Sequence, residues 1–145
     1  MNADPRTLGW LSRALTHELG AVQQYLAQSA LARLWGEVQL AGHLQREAAE
    51  ELGHVERLME RLILLGVAPS ASGLAPARLG RTVEQLLLAN RQMECDAVRL
   101  YQEALWHATR VRDGDVADLM RSILEEEMAH LADIEHLMKE QMNHG

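Results

Sequence analysis

The sequence has few residues that form covalent cross-links, break helices or stack as aromatic rings. It contains one cysteine, Cys95, which excludes an internal disulfide and a cysteine-based zinc site and suits a reducing compartment. There are 3 prolines and no phenylalanine, while the good helix formers Leu, Ala, Glu, Gln and Arg are abundant. The composition therefore favours an all-helical protein.

Positive charge and long apolar runs are also scarce. The formal net charge of −7 argues against nucleic acid or an anionic membrane surface as a partner, and it suits cations. No uninterrupted apolar run reaches the length of a membrane span, and residues 1–10 lack an apolar signal core. The chain is therefore expected to be a soluble cytoplasmic protein. Its 48% of hydrophobic residues are enough to form one compact core.

Apolar residues at helical spacing predict four long helices. The predicted N-caps of three of these helices are Asp4, Thr82 and Asp115. A segment rich in Pro and Gly, at about residues 66–81, separates the second helix from the third. The predicted helices cover about residues 5–35, 38–65, 82–110 and 115–142.

Short turns join the first two predicted helices and the last two, so each pair is predicted to form an antiparallel hairpin. Each helix is about 40 Å long at 1.5 Å per residue. The segment at 66–81 could span roughly 50 Å when extended. The predicted fold is therefore an all-α four-helix bundle, two hairpins joined by a long crossover, in a single domain of residues 1–145. The alternative is an up-and-down bundle with a floppy loop.

One candidate glutamate near the middle of each predicted helix lies at a similar depth, and two of these four glutamates have a histidine three residues later. At that spacing both side chains project from the same helix face. Each candidate residue of the first hairpin has a residue of the same type 76 positions later, in the second hairpin. The pairs are Glu18 with Glu94, Glu51 with Glu127, His54 with His130, and Tyr25 with Tyr101.

Two glutamates and one histidine from each half predict a site for two metal ions. Four buried carboxylates without compensation would each cost several kcal/mol, whereas two divalent cations would cancel their charge. Oxygen ligands with imidazole and no thiolate suit iron or manganese. The same donor pattern is the general scheme of ferritin-like di-iron and di-manganese proteins. The alternative is a set of surface Glu/His pairs on long helices.

The sequence resembles the bacterioferritins over residues 1 to about 143. The resemblance depends on Glu18 with the following "QQY", on "LWG" at 34–36, on "EELGHVERLMERLILLG" from Glu50, and on "MECDAV" and "LEEEMAHL". It implies a ferritin-like bundle and a di-iron centre in each subunit. The ligands that it implies are Glu18, Glu51, His54, Glu94, Glu127 and His130.

The family likeness also implies a function. Two Fe(II) ions would bind per subunit and be oxidised by O2 or H2O2, with Fe(III) mineral stored in a hollow shell for iron homeostasis and detoxification. Tyr25 matches a tyrosine beside the family's site, which implies an electron donor or hydrogen-bond partner, with packing as the alternative. The rival functions are a non-cage di-iron or di-manganese oxidase or peroxidase, such as a rubrerythrin-like dimer, and a subunit of a mixed shell with a haem-binding bacterioferritin.

Three features depart from the family pattern. Leu52 occupies the position of the haem-ligating methionine, so no haem is expected there, and Met59 could serve only as an unorthodox ligand. Arg46 and Glu50 stand where some members place His and Asp, so an extra inner-surface iron site is not expected. The sequence ends at "KEQMNHG", where the family continues into a fifth helix. The expected assembly is therefore a homo-oligomer built from dimers, up to a 12- or 24-subunit shell, or co-assembly with a paralogue.

Several other residues at helical positions are interpreted as packing residues. Cys95, next to Glu94, is predicted to be a small buried hydrophobe rather than a redox group. Four methionines are predicted to lie in the core: Met93, Met120, Met128 and Met138.

Overall fold

The computed structural model describes residues 3–144 and contains four α-helices and no strand in that range. The predicted all-α class with four helices is therefore confirmed. Within the same range, no helix has both the length and the apolar character that a membrane span requires. The helices are α1 (Pro5–Leu34), α2 (Val38–Leu64), α3 (Val83–Arg110) and α4 (Gly114–His144).

The first of two compact units ends at Arg78 and contains α1, α2 and most of the segment that follows them. The two helices pack against each other as a hairpin. The Ser29 hydroxyl on α1 donates a hydrogen bond of 2.9 Å to the carbonyl oxygen of Ala41 on α2. The apolar core of this hairpin includes the fully buried side chains of Leu11, Leu15, Leu44, Leu58 and Leu62.

The second compact unit begins at Leu79 and contains α3 and α4, which form the second hairpin. Leu86, Met120 and Ile123 are fully buried in it. The prediction of a buried methionine is correct for Met120 but wrong for Met128, which is 52% exposed. Met128 directly follows an inward-facing residue, and consecutive helical side chains point about 100° apart.

A short glycine turn ends α1 and leads into α2. The Gly36 N–H donates to the carbonyl of Arg33, and the Glu37 N–H donates to the carbonyl of Ala32 at 2.8 Å. This Schellman motif requires a left-handed residue, and Gly36 supplies it with φ 81°. The turn reverses the chain within three residues, so α2 returns beside α1.

The turn between α3 and α4 repeats this motif without glycine. The Arg112 N–H donates to the carbonyl of Thr109, and the Asp113 N–H donates to the carbonyl of Ala108. Arg112 has φ 60° and stands 76 residues after Gly36. A residue with a Cβ is strained in this region of backbone space, so Arg112 introduces strain that Gly36 does not introduce in the first turn.

Side-chain caps begin three helices. Asp4 and Thr82 accept hydrogen bonds from the backbone N–H groups of Thr7 and Gln85, at 3.2 and 3.1 Å. Both residues therefore cap their helices as predicted.

The fourth helix begins earlier than its predicted cap. Asp113, not Asp115, accepts a hydrogen bond of 3.2 Å from the Val116 N–H. The prediction of Asp115 as cap is therefore wrong. Asp115 lies inside the first turn of α4, where its negative charge favours the helix dipole instead.

The segment after α2 is fastened to α1 within the first unit. The fully buried Gln28 side chain donates a 2.8 Å hydrogen bond to the carbonyl oxygen of Arg78, and Gln24 accepts one from the Arg78 N–H. The interpretation of this stretch as a floppy loop is therefore wrong. Two further bonds join Gln23 to the carbonyl of Ala75 and the Ser72 N–H to the hydroxyl of Thr16.

Candidate metal centre

Three of the predicted ligands lie together in the first unit. Glu18 comes from the middle of α1, and Glu51 and His54 lie one turn apart on α2. The Nδ1 atom of His54 is 3.5 Å from Oε2 of Glu18 and 3.4 Å from Oε2 of Glu51. One ligand atom from each of the three lies within 4.8 Å of the others. These residues form the first triad.

The second unit contains the equivalent group. Glu94 lies on α3, and Glu127 and His130 lie one turn apart on α4. The Nδ1 atom of His130 is 3.3 Å from Oε1 of Glu127. Ligand atoms of all three residues again lie within 4.8 Å of one another. These residues form the second triad, and it repeats the first triad residue type for residue type.

The triads occupy positions that helical spacing assigns to the core. On α2, Glu51 lies three residues after the buried Ala48 and seven before the fully buried Leu58. The same spacing places apolar side chains on the inward face of an amphipathic helix. Buried polar side chains therefore interrupt the apolar stripe of each helix. All six predicted ligand residues are at most 5% exposed: Glu18, Glu51, His54, Glu94, Glu127 and His130.

The donor atoms and charges fit metal ions. Each triad carries two carboxylates, and transferring such charges out of water costs several kcal/mol per ion unless a counter-charge compensates. One divalent cation per triad would provide that charge. Two atoms bound to one ion at about 2.1 Å lie about 3 to 3.5 Å apart, which matches the separations of the His nitrogens from the carboxylates. Oxygen and imidazole donors without sulfur suit iron or manganese.

The tyrosine predicted beside the site is fully enclosed. Tyr25 is 1% exposed and lies seven residues after Glu18 on α1. Tyr101 is 0% exposed and lies seven residues after Glu94 on α3. Both tyrosines therefore keep the same position relative to the glutamate on their own helix.

Glu47 is a buried carboxylate outside the predicted ligand set. It is 6% exposed, and its Oε1 atom lies 3.8 Å from Nε2 of His43, four residues earlier on α2. Glu47 lies four residues before Glu51, and this spacing in the sequence indicates that both residues lie on the same inward face of α2. The equivalent position in the second unit, 76 residues later, is the fully buried Ile123. Glu47 therefore has no counterpart at the equivalent position of the second unit.

The positions that depart from the family pattern lie at the surface. Leu52 is 45% exposed, and Arg46 and Glu50 are exposed beside it on α2. Met59 is half-buried. Cys95 is a free thiol and is only partly buried, so the prediction of a buried hydrophobe is wrong for it. Cys95 directly follows the inward-facing Glu94. Because consecutive helical side chains point about 100° apart, Cys95 lies at the side of the inward face rather than on it.

Comparison with known proteins identifies relatives across almost the whole chain. A family model described as a ferritin-like domain matches residues 9–142. A bacterioferritin of Rhodobacter capsulatus is 30% identical over 131 residues, which is 90% of this chain and 81% of the relative. A bacterioferritin of Brucella melitensis is 31% identical over the same shares of the two chains.

A solved structure extends this similarity to three dimensions. The bacterioferritin structure from Rhodobacter capsulatus matches with a TM-score of 0.96 at 28% sequence identity, and the match covers 100% of this chain and 91% of that one. That protein was described with a metal-free dinuclear site and a haem iron. The match confirms the predicted ferritin-like four-helix bundle.

Proposed function

Since this chain belongs to the bacterioferritin family of ferritin-like proteins, we propose that residues 1–145 form a single domain that oxidises Fe(II) for iron storage and detoxification. The observation that carries this proposal is the repetition of the same buried triad, two glutamates and one histidine, in both halves of the chain. A repeated donor set of this kind suits a reaction in which two Fe(II) ions are oxidised together.

The two triads are proposed to bind two iron ions per subunit as one di-iron centre. Four carboxylates balance the charge of two Fe(II) ions, and the two neutral imidazoles add no charge. When bound, the two ions supply two electrons to O2 or H2O2. The proposed ligands, which are also the proposed catalytic residues, are Glu18, Glu51, His54, Glu94, Glu127 and His130.

The protein side chains have two tasks in this reaction. The first is to hold the Fe(II) substrate: His54 and His130 each present Nδ1 towards a carboxylate one turn earlier on the same helix, which sets the orientation of both donors. The second is to limit the access of water, because ligands that are at most 5% exposed keep their charges in a low-dielectric surrounding. Electrostatic interactions with a cation are strongest in such a place.

Haem is not expected to bind at Leu52. Its side chain has no lone pair for iron, and it stands where the family pattern has a methionine thioether.

The remaining properties that we propose come from the family: a homo-oligomer built from dimers and a cytoplasmic location. Neither nucleic acid nor a membrane is an expected partner, because the chain carries a formal net charge of −7.

The decisive experiment measures the size and iron content of the purified protein before and after aerobic loading with Fe(II). A storage protein gives a large particle that retains many more iron ions than two per subunit. A dimer that consumes oxygen but retains only about two iron ions per subunit would instead indicate a rubrerythrin-like oxidase. A chain that forms a shell only with a haem-binding paralogue would indicate a subunit of a mixed shell.

A matched pair of variants on α3 tests the ligands themselves. Glu94→Ala removes a carboxylate that is 1% exposed, whereas Glu103→Ala removes an exposed one from the same helix. Rapid Fe(II) oxidation should be lost in the first variant and kept in the second, with the helical circular dichroism of both unchanged. Normal oxidation by the Glu94→Ala protein would exclude Glu94 from the centre.

A further inference from the structure

The most exposed tryptophan of the chain lies on a charged face of α3. Trp106 is 64% exposed, whereas Trp10 and Trp35 are only partly exposed. The guanidinium of Arg110, one turn later on the same helix, lies 5.1 Å from the centre of the Trp106 ring. This cation–π contact holds the ring in one orientation at the surface.

The Trp106 ring forms one wall of a shallow hollow in the surface of α3. The hollow has a volume of about 380 Å³, and two consecutive turns of the helix line it with Gln102, Leu105, Trp106, Thr109 and Arg110. A single exposed apolar residue is ordinary on a protein surface. A tryptophan held by an arginine beside a hollow is different, because these two residue types anchor many protein–protein interfaces.

The surroundings of the hollow are positively charged in a chain that is negatively charged as a whole. Arg99 lies two turns before Trp106 and Arg110 one turn after it, all three are exposed, and Glu103 offsets one of the two charges. Arg99, Trp106 and Arg110 are called the Trp106 patch below. At a formal net charge of −7, two copies of the chain repel each other, so an acidic surface approaches most favourably at such a patch.

The exposed side of α4 has the complementary character. Ala129 and Ala132 lie four and seven residues after Glu125, and all three are exposed on one side of the helix. The two alanines leave a flat apolar surface on which an indole ring can pack. Glu125 forms no side-chain ion pair within residues 3–144, whereas Asp118 is already paired with Arg121 at 3.1 Å. Glu125 and the two alanines are called the Glu125 face.

We propose that the Trp106 patch docks on the Glu125 face of a second copy of this chain. Trp106 packs on the two alanines, and Arg110 pairs with Glu125. Because two different surfaces meet, the contact is heterologous, and its head-to-tail repetition closes into a ring. The inference rests on the homo-oligomer of the proposed function, but it does not depend on the iron chemistry.

The test measures the mass of the assembly that the full chain forms, by sedimentation velocity. Trp106→Ala and Arg110→Glu should each give smaller particles than wild type at the same concentration, with a dissociation constant between copies at least about 10-fold higher. Glu125→Arg should give the same loss. The double variant Arg110→Glu/Glu125→Arg reverses both charges of the pair and should recover the wild-type mass.

A second tryptophan–arginine pair provides the matched control. The Arg13 guanidinium lies 4.4 Å from the centre of the Trp10 ring on α1, so Arg13→Glu makes the same charge change outside the Trp106 patch. This variant should keep the wild-type mass. The helical circular dichroism and the anaerobic Co(II) stoichiometry of every variant should equal those of wild type, which separates loss of docking from loss of the fold.

Four results would contradict the proposed contact. The first is a wild-type protein that remains a single copy, and the second is a wild-type mass for both Trp106→Ala and Arg110→Glu. The third is a double variant as small as its parents, which would exclude Glu125 as the partner of Arg110. The fourth is equal loss of mass in Arg13→Glu. A wild-type assembly that bound no Co(II) would instead remove the proposed iron chemistry and leave this contact intact.

Discussion

The Nδ1 atom of His130 lies 3.3 Å from Oε1 of Glu127, one turn earlier on α4. The pair of Glu51 and His54 on α2 has nearly the same separation, 3.4 Å. The histidines therefore hold equivalent positions in the two halves of the chain. Equivalent positions imply equivalent roles, and we expect each histidine to serve one of the two bound ions.

Replacing His130 with Ala should reduce anaerobic Co(II) binding from two tightly bound ions per subunit to one. The second triad would keep its two carboxylates but lose its only nitrogen donor, while the first triad would be unchanged. Isothermal titration calorimetry measures the stoichiometry. His136→Ala is a matched control, because His136 pairs with Glu140 on the same helix but is 73% exposed. Two ions in the His130→Ala protein would exclude that histidine as a ligand.

The metal-free protein should become more stable when one buried carboxylate is neutralised. Glu94→Gln keeps the shape of a side chain that is 1% exposed but removes a charge that the apo protein must bury. We expect the free energy of unfolding in urea, measured with a chelator present, to rise by about 1–2 kcal/mol. Anaerobic Co(II) binding should fall from two ions per subunit to one in the same variant.

Glu103→Gln on the exposed side of α3 serves as the control for this comparison. A surface change of this kind should alter the free energy of unfolding by less than about 0.5 kcal/mol. A Glu94→Gln protein that was less stable than wild type without metal would show that the carboxylate has a stabilising role of its own.

Helical periodicity was sufficient to predict the four helices and the position of each triad residue on an inward face. This prediction succeeds because a side chain's direction on a helix is fixed by its number along the chain, whatever the neighbouring element. The repeat of 76 residues added an independent check, since Glu18 and Glu94 could be compared without any structure.

Features that depend on where a turn ends or on partners distant in sequence were not predictable in this way. Asp113 and Asp115 are both plausible caps in the sequence, and the choice depends on the left-handed residue between the helices. Met128 has the same apolarity as the buried Met120, but it directly follows the buried Glu127 and therefore faces solvent. The hydrogen bond from Gln28 joins residues 50 positions apart, and no local pattern marks it.

Arg112→Gly should stabilise the protein. Arg112 is exposed and adopts φ 60°, where a residue with a Cβ is strained, whereas Gly36 fills the equivalent position without strain. Glycine has greater conformational freedom than arginine in the unfolded chain, which offsets part of this gain in the free energy of unfolding. The net increase in the free energy of unfolding should be about 0.5–1 kcal/mol, measured by chemical denaturation. Gly36→Ala is the reciprocal variant and should lower it, so a stabilised Gly36→Ala protein would contradict the argument.

The last prediction concerns the attachment of the crossover to α1. Gln28→Ala removes a fully buried side chain and leaves the carbonyl of Arg78 without its 2.8 Å donor. The free energy of unfolding should fall by about 2–3 kcal/mol, because a buried acceptor loses its partner and a small cavity forms. Proteolysis at residues 72–78 should accelerate in native buffer.

A neighbouring bond provides the control for Gln28. Gln23 donates to the carbonyl of Ala75 at 3.0 Å, but this bond is exposed, so water can replace the lost donor in a Gln23→Ala protein. Its free energy of unfolding should therefore fall by less than about 1 kcal/mol. If both variants lost the same stability, burial would not be the reason that Gln28 matters. If neither accelerated proteolysis, the crossover would be held by its apolar contacts rather than by these hydrogen bonds.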